Sequence, residues 1–274
     1  MKRVVTAAVL VPLVLLLIFK GSFAAVLVAA GLVSAMAAWE LLALAEPAGA
    51  HAPRLAVLAA VALLFATAYF DAELMTPALL LLSLALFIVC AFRSPLARVL
   101  PDTGCSIFCL IYVGLSLTTL PLLWAQGDGA SLLLFLFCVV WCGDVAALYV
   151  GRAYGRRKLA PRMSPNKTWE GSAASGAGSV LVAVALFWIA RLLENDSVFT
   201  IHYSGALWRW IVLAILLNAA AQVGDLIESA IKRGSGAKDS GTLLPGHGGI
   251  LDRIDALLLA APLLWCAQYL QRYF

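Results

Sequence analysis

Between Ser229 and Asp255 the chain reads Ser-Ala-Ile-Lys-Arg-Gly-Ser-Gly-Ala-Lys-Asp-Ser-Gly-Thr-Leu-Leu-Pro-Gly-His-Gly-Gly-Ile-Leu-Asp-Arg-Ile-Asp. These are residue types suited to handling phosphate and metal. Lys232, Arg233 and Lys238 offer positive charge to phosphate oxygens. Gly234, Gly236, Gly241, Gly246, Gly248 and Gly249 allow positive φ and a close approach of backbone to an anion. His247, between glycines, can donate to phosphate or close a hydrogen bond inside the loop. A segment that only faced lipid would have no structural need for this mixture.

Two more carboxylates lie inside apolar stretches. Asp144 precedes Arg152 by eight residues and Asp225 precedes Lys232 by seven. At a rise of about 1.5 Å per residue, each lies roughly 10–12 Å inward from its basic end. A charge in hydrocarbon costs about 2.5–3.5 kcal/mol on insertion scales. Two acids at similar depth therefore imply one water-accessible cavity; the alternative is that each pairs with a neighbouring helix for packing. Asp225, Glu228 and Lys232 are spaced i, i+3, i+7 and share a helix face, which Asn218 and Gln222 extend. Asp252 and Asp255 stand one turn apart near a predicted helix start, where the helix dipole alone would favour one of them. Asp225 and Asp252 form the candidate pair for Mg²⁺, which favours one or two carboxylates plus substrate phosphate oxygens. In the loop 152–171, Arg156, Arg157 and Lys158 suit a charged membrane anchor equally well. Ser164 to Gly171 reads Ser-Pro-Asn-Lys-Thr-Trp-Glu-Gly, with Lys167 as a candidate phosphate ligand.

The elements that must position these residues are membrane helices. Of 274 residues, 63% are hydrophobic and only 12% charged, and mean hydropathy is +0.97. Soluble domains are about half apolar and about a quarter charged. Nine apolar stretches occur, at about 4–19, 23–45, 55–70, 76–92, 105–124, 131–151, 172–193, 207–231 and 250–270. Each is near the ~17–25 residues a spanning helix needs. The expected fold is thus an all-α polytopic bundle of about nine transmembrane helices. Residues 1–130 are expected to be scaffold, and 131–274 to carry a catalytic site in a cavity on the cytoplasmic side. With the N-terminus inside, Lys2, Arg3, Arg54, Arg93, Arg98, Arg152, Arg156, Arg157, Lys158, Arg162, Lys167, Lys232, Arg233, Lys238 and Arg253 fall inside or at the inner edge. Only Lys20, Arg191, Arg209 and Arg272 fall outside, a clear positive-inside bias. The opening also has the order of a signal peptide; an uncleaved first helix is the expectation. The six cysteines form no Cys-x-x-Cys and read as small apolar core residues. A net charge of +4 suits anionic lipid and nucleotide phosphates and gives no soluble basic face for nucleic acid.

The 229–255 segment resembles the phosphatidate cytidylyltransferases (CDP-diacylglycerol synthases). It carries their pattern Ser-x-apolar-Lys-Arg, four residues, Lys-Asp-x-small, two residues, apolar-Pro-x-His-Gly-Gly-apolar-x-Asp-Arg-x-Asp without a departure. Asp144 to Gly151 and Ser164 to Gly171 are similar to the family as well, whereas the N-terminal half matches only in helix number and apolar character. The resemblance implies a multi-pass enzyme of the bacterial inner membrane, commonly dimeric, that joins CTP to phosphatidic acid with Mg²⁺, K⁺ being a second ion. It implies Asp225 and Asp252 as metal ligands. The candidate catalytic residues are then Asp144, Asp225, Lys232, Arg233, Lys238, Asp239, His247 and Asp252. The candidate substrate-binding residues are Ser164, Asn166, Lys167, Glu228, Gly248, Gly249 and Arg253. Two rival readings explain intramembrane acids beside a basic mouth. One is a CTP-dependent enzyme with another lipid acceptor. The other is a secondary transporter, which would often show a second-half echo of its broken helices; no such echo of the Gly-rich loop is present.

Overall fold

The computed structural model describes residues 2–193, 201–241 and 248–271. Helices α1 (Lys2–Lys20), α2 (Phe23–Ala45), α3 (Arg54–Phe70) and α4 (Met75–Arg93) come first. Then α5 (Val99–Cys109) runs through a π turn at Leu110–Leu115 into α6 (Ser116–Trp124). They are followed by α7 (Gly129–Tyr154), a hairpin of β1 (Lys158–Ala160) and β2 (Ser164–Thr168), α8 (Trp169–Leu192), α9 (Leu207–Gly234), the short α10 (Leu251–Ile254) and α11 (Leu257–Leu270). In hydrocarbon every backbone N–H and C=O needs an internal partner, which is why apolar stretches this long become helices.

Among the described residues, six helical segments are long and apolar enough to cross a membrane: Phe23–Ala45, Ala72–Arg93, Leu96–Trp124, Gly129–Tyr154, Trp169–Leu192 and Leu207–Gly234. Three shorter apolar helices, Val11–Lys20, Arg54–Phe70 and Leu257–Leu270, account for the remaining predicted stretches. The chain is an all-α polytopic membrane bundle, the small hairpin aside. The fifth predicted stretch starts earlier than its sequence suggests: Val99 to Gly104, with Pro101, Asp102 and Thr103, already belong to the helix.

Two compact units form. One comprises residues 1–122 and 231–254; the other comprises 123–230 and 255–274. The units interleave along the chain: of the described residues, 231–241 and 248–254 group with the N-terminal helices. The core of the first unit includes Leu41, Leu42, Leu64, Leu110, Leu117 and Leu251. The core of the second includes Phe135, Leu136, Leu217, Leu258 and Leu264, and an aromatic cluster of Phe135, Tyr203 and Trp210. All six cysteines are free thiols. Cys90 and Cys109 are core residues as expected, whereas Cys142 and Cys266 are exposed, so the core reading holds for only part of the set.

Candidate active site

In the second unit, α7, the hairpin, α8 and α9 enclose a cavity of about 670 Å³ lined by Asp144, Arg152, Asn166, Lys167, Gln222 and Asp225 among others. The hairpin pairs antiparallel, Lys158 with Thr168 and Ala160 with Ser164. Its base is closed by Glu170, which accepts the backbone N–H groups of Arg156 at 3.0 Å and Arg157 at 3.2 Å. Thr168 then caps α8, accepting the Gly171 N–H at 3.2 Å. A side-chain oxygen at that position satisfies a donor that the helix start would otherwise leave open. Turn, strand and cap together hold Lys167 so that its Nζ lies 2.5 Å from Asp225 Oδ2. Asp144 and Asp225, both expected at similar depth, line this one cavity.

The polar stripe of α9 divides by task. Asn218 donates to Ser175 Oγ at 2.7 Å and Ser179 Oγ at 2.9 Å, and accepts from Gln222 Nε2 at 2.6 Å. Ser172 donates in turn to Gln222. These bonds fasten α9 to α8. They run close to Gly143 of α7, where a Cβ would meet Asn218 Nδ2 at 2.6 Å, Ser179 Oγ at 2.7 Å and Ser175 Oγ at 2.9 Å. Further along, Asp225, Glu228 and Asp255 present carboxylate oxygens within 4.8 Å of one another. Gly224 permits this. A Cβ there would stand 2.5 Å from the Asp255 backbone oxygen, so only glycine lets α9 come this close to the chain ahead of α11. Glu228 is fully buried, and Ser229 Oγ donates to Asp225 Oδ1 at 3.4 Å.

The first unit holds a second cluster. Lys232 Nζ lies 2.5 Å from Asp252 Oδ1. Asp252 Oδ2 accepts the backbone N–H groups of Ser240 and Gly249, each at 2.9 Å, and the Ser240 hydroxyl at 3.0 Å. Gly248 has φ +78°, a conformation L side chains rarely adopt, and a Cβ there would also meet Asp252 Oδ2 at 2.6 Å. Arg233 donates to the Ala237 carbonyl at 3.2 Å, and Arg233, Lys238, Asp239 and Arg253 are exposed. His247 lies outside the described residues.

The structure thus gathers Asp144, Asn166, Lys167 and Asp225 around one cavity, with Ser164 in the strand beside it. In the first unit it ties Lys232, Gly249 and Asp252 to one another. Two residues, Asp255 and Glu40, gain a place that spacing alone did not give. Glu228, a substrate-binding candidate, and Asp255 join Asp225 as carboxylates. Glu40 of α2, in the part expected to be scaffold, is 3% exposed and accepts hydrogen bonds from Ser240 Oγ, Ile250 N and Leu251 N. The signal for Glu40 was present: it is a carboxylate in a 23-residue apolar helix, where a charge carries a desolvation cost.

Residues 1–270 match the sequence model described as the Cytidylyltransferase family. The chain belongs to that family. It is 45% identical over 195 residues to a phosphatidate cytidylyltransferase of Brucella suis, a match covering 70% of this chain and 64% of that protein. Proteins of the same name from Haemophilus influenzae and Staphylococcus saprophyticus also match. The first is 44% identical over 134 residues (49% of this chain, 44% of that protein) and the second 39% over 160 residues (57% and 56%). The chain spans less than two thirds of the length of these curated relatives.

Proposed function

We propose that this chain is a phosphatidate cytidylyltransferase, converting CTP and phosphatidic acid to CDP-diacylglycerol and pyrophosphate. The observation that carries the reading is the Lys167–Asp225 pair opening on a cavity of about 670 Å³ in a membrane bundle of the cytidylyltransferase family. That volume lies within the roughly 300–1,000 Å³ range of ligand pockets. The names of the relatives supply the acceptor lipid and the base.

In the proposed reaction a phosphatidate oxygen attacks the α-phosphorus of CTP, forming the new P–O bond as the bond to the β-phosphate breaks and pyrophosphate leaves. A phosphate monoester has its second pKa near ~6, so the nucleophile is already largely ionised and needs no dedicated base. The difficulty lies in bringing anions together, which positioned cations relieve. Lys167, with Arg152 on the same cavity wall, meets phosphate oxygens there. Lys232, Arg233, Lys238, Arg253 and His247 are the further cationic or donor candidates, Asp144 orients a basic partner or a water, and Asp239 belongs to the same candidate set.

The donor chemistry of Asp225, Glu228 and Asp255 fits a hard divalent cation such as Mg²⁺, which takes carboxylate oxygens at close range. A cation held there would neutralise phosphate charge and favour departure of pyrophosphate. For Asp252 to act as the metal ligand expected from the sequence, its Oδ1 must exchange Lys232 for the cation. K⁺ as a second ion, a homodimeric assembly, residence in the cytoplasmic membrane and a site facing the cytoplasm complete the proposal. The orientation rests on the bias of basic residues.

The test is transfer of label from α-³²P-CTP into organic-extractable lipid by the purified chain, with phosphatidic acid and Mg²⁺ supplied and with EDTA and no-lipid controls. Label that requires both metal and phosphatidate is the expected result. Folded protein that transfers no label to phosphatidate would overturn the reading and direct attention to other acceptor lipids.

A further inference from the structure

Glu40 lies on α2, about two hundred residues from the three groups that donate to its carboxylate. Oε1 accepts the Ile250 N–H at 3.0 Å; Oε2 accepts the Leu251 N–H at 2.9 Å and the Ser240 hydroxyl at 2.9 Å. Among the described residues of the segment that donates these bonds, 235–241 and 248–250 form no helix. Its buried backbone donors need partners from elsewhere, and one carboxylate satisfies two of them together with a hydroxyl.

Two glycines of the segment are shaped around the same group. A Cβ at Gly241 would stand 2.6 Å from Glu40 Oε1, and a Cβ at Gly249 would collide with Glu40 Oε2 and Ser240 Oγ. Neither glycine has positive φ. What requires glycine at these two positions is the space the carboxylate fills. The Ser240 hydroxyl has a single proton and lies within hydrogen-bonding distance of both Glu40 Oε2 and Asp252 Oδ2, so it links two carboxylates and can donate to only one at a time. The backbone N–H groups of Leu251, Ser240 and Gly249 offset the repulsion between them. The connected order is Glu40, Ser240, Asp252, Lys232.

We propose that Glu40 is a positioning residue for the transferase reaction: through Ser240 and the backbone of 249–251 it fixes Asp252 and the segment that carries the flanking candidates Lys238, Asp239 and Arg253. The inference rests on the transferase reading above for its catalytic half. Its structural half stands on these contacts alone. A buried anchor with no more than a packing role would more often be Ser, Thr or Gly in a membrane helix. A carboxylate in an apolar helix is an expensive choice unless its charge sets the geometry of other charges.

The test uses the full chain in detergent or lipid with Glu40→Gln, Ser240→Ala and the double variant, read two ways. Hydrogen exchange should be at least about tenfold faster across 249–252 in Glu40→Gln, because the amide presents N–H where Leu251 N–H needs an acceptor. With rates normalised to folded protein, kcat should fall on the order of 100-fold, while KM for CTP and for phosphatidate stays within about threefold. Ser240→Ala should lose about tenfold, and the double variant no more than Glu40→Gln alone, since both sit on one connection. Unchanged exchange in Glu40→Gln overturns the tether. Faster exchange with kcat at the wild-type level overturns the positioning role. Should Glu40→Gln fail to fold, Ser240→Ala with wild-type kcat and exchange overturns the proposal. A wild-type chain that transfers no label defeats the transferase reading and with it the catalytic half, while the exchange result still decides whether Glu40 holds the segment.

Discussion

Two lysine–aspartate pairs among the described residues stand in different company. Lys167 and Asp225 meet on the wall of a cavity, with side chains 24% and 36% exposed. Lys232 and Asp252 are 13% and 10% exposed, and Asp252 is fastened besides by Ser240 and Gly249. Both contacts are 2.5 Å long, so distance does not separate them. What separates them is access. Breaking the cavity pair returns both groups to a partly wet surface, where such pairs contribute about 0–1 kcal/mol. Breaking the enclosed pair leaves a charge with little water to replace its partner, which costs about 3–5 kcal/mol. A pair that separates cheaply gives way readily to substrate phosphate and metal, and one that separates at such cost holds its geometry until a cation takes the lysine's place.

The same chemical change in both places tests that distinction. Asp252→Asn should lower stability by roughly 3–5 kcal/mol and abolish label transfer, as read by thermal unfolding in detergent and by the lipid-extraction assay. Asp225→Asn should reduce transfer by more than about 100-fold, beyond what loss of a partner in the outer shell of a metal site costs, yet change stability by no more than about 1 kcal/mol. Equal stability losses would erase the contrast, and Asp225→Asn within a fewfold of wild type at saturating Mg²⁺ would remove Asp225 from the metal proposal. Gly143→Ala should destabilise by about 1–3 kcal/mol through overpacking, because its Cβ would press on the Asn218–Ser175–Ser179 network that fastens the cavity wall; its effect on transfer should follow the loss of folded protein. The smallest change is expected at the exposed Arg54–Glu46 pair, 26% and 43% exposed. There Glu46→Gln should shift unfolding by less than about 1 kcal/mol and leave transfer at the wild-type rate.

The sequence made part of the site legible through a cost argument. Asp144 and Asp225 stand out because charge is expensive in apolar helices, and the cavity they share is what that expense predicts. Lys167 was legible as one cation in an ordered run, but its partner was not. The contact depends on the strand pairing of 158–160 with 164–168 and on the Thr168 cap, neither of which hydropathy reveals in a stretch of five residues. Glu228 was legible from the i, i+3 spacing. Asp255 became its neighbour only through the close approach that Gly224 allows. Glu40 lies among residues with no motif and toward the end of its helix, where the cost argument singles it out less sharply.

By itself the sequence determined the membrane class, the helices, the concentration of charge in a few short segments and the family those segments mark. Composition and local spacing suffice for these, because the 1.5 Å rise and the 3.6-residue turn fix what lies within one helix. Tertiary structure alone decided which carboxylates keep company: Asp225 with Lys167, Glu228 and Asp255, and Asp252 with Lys232 and, through Ser240, Glu40. Contacts between residues tens to hundreds of positions apart are set by how helices pack and where glycine admits a close approach. No periodicity along the chain encodes that.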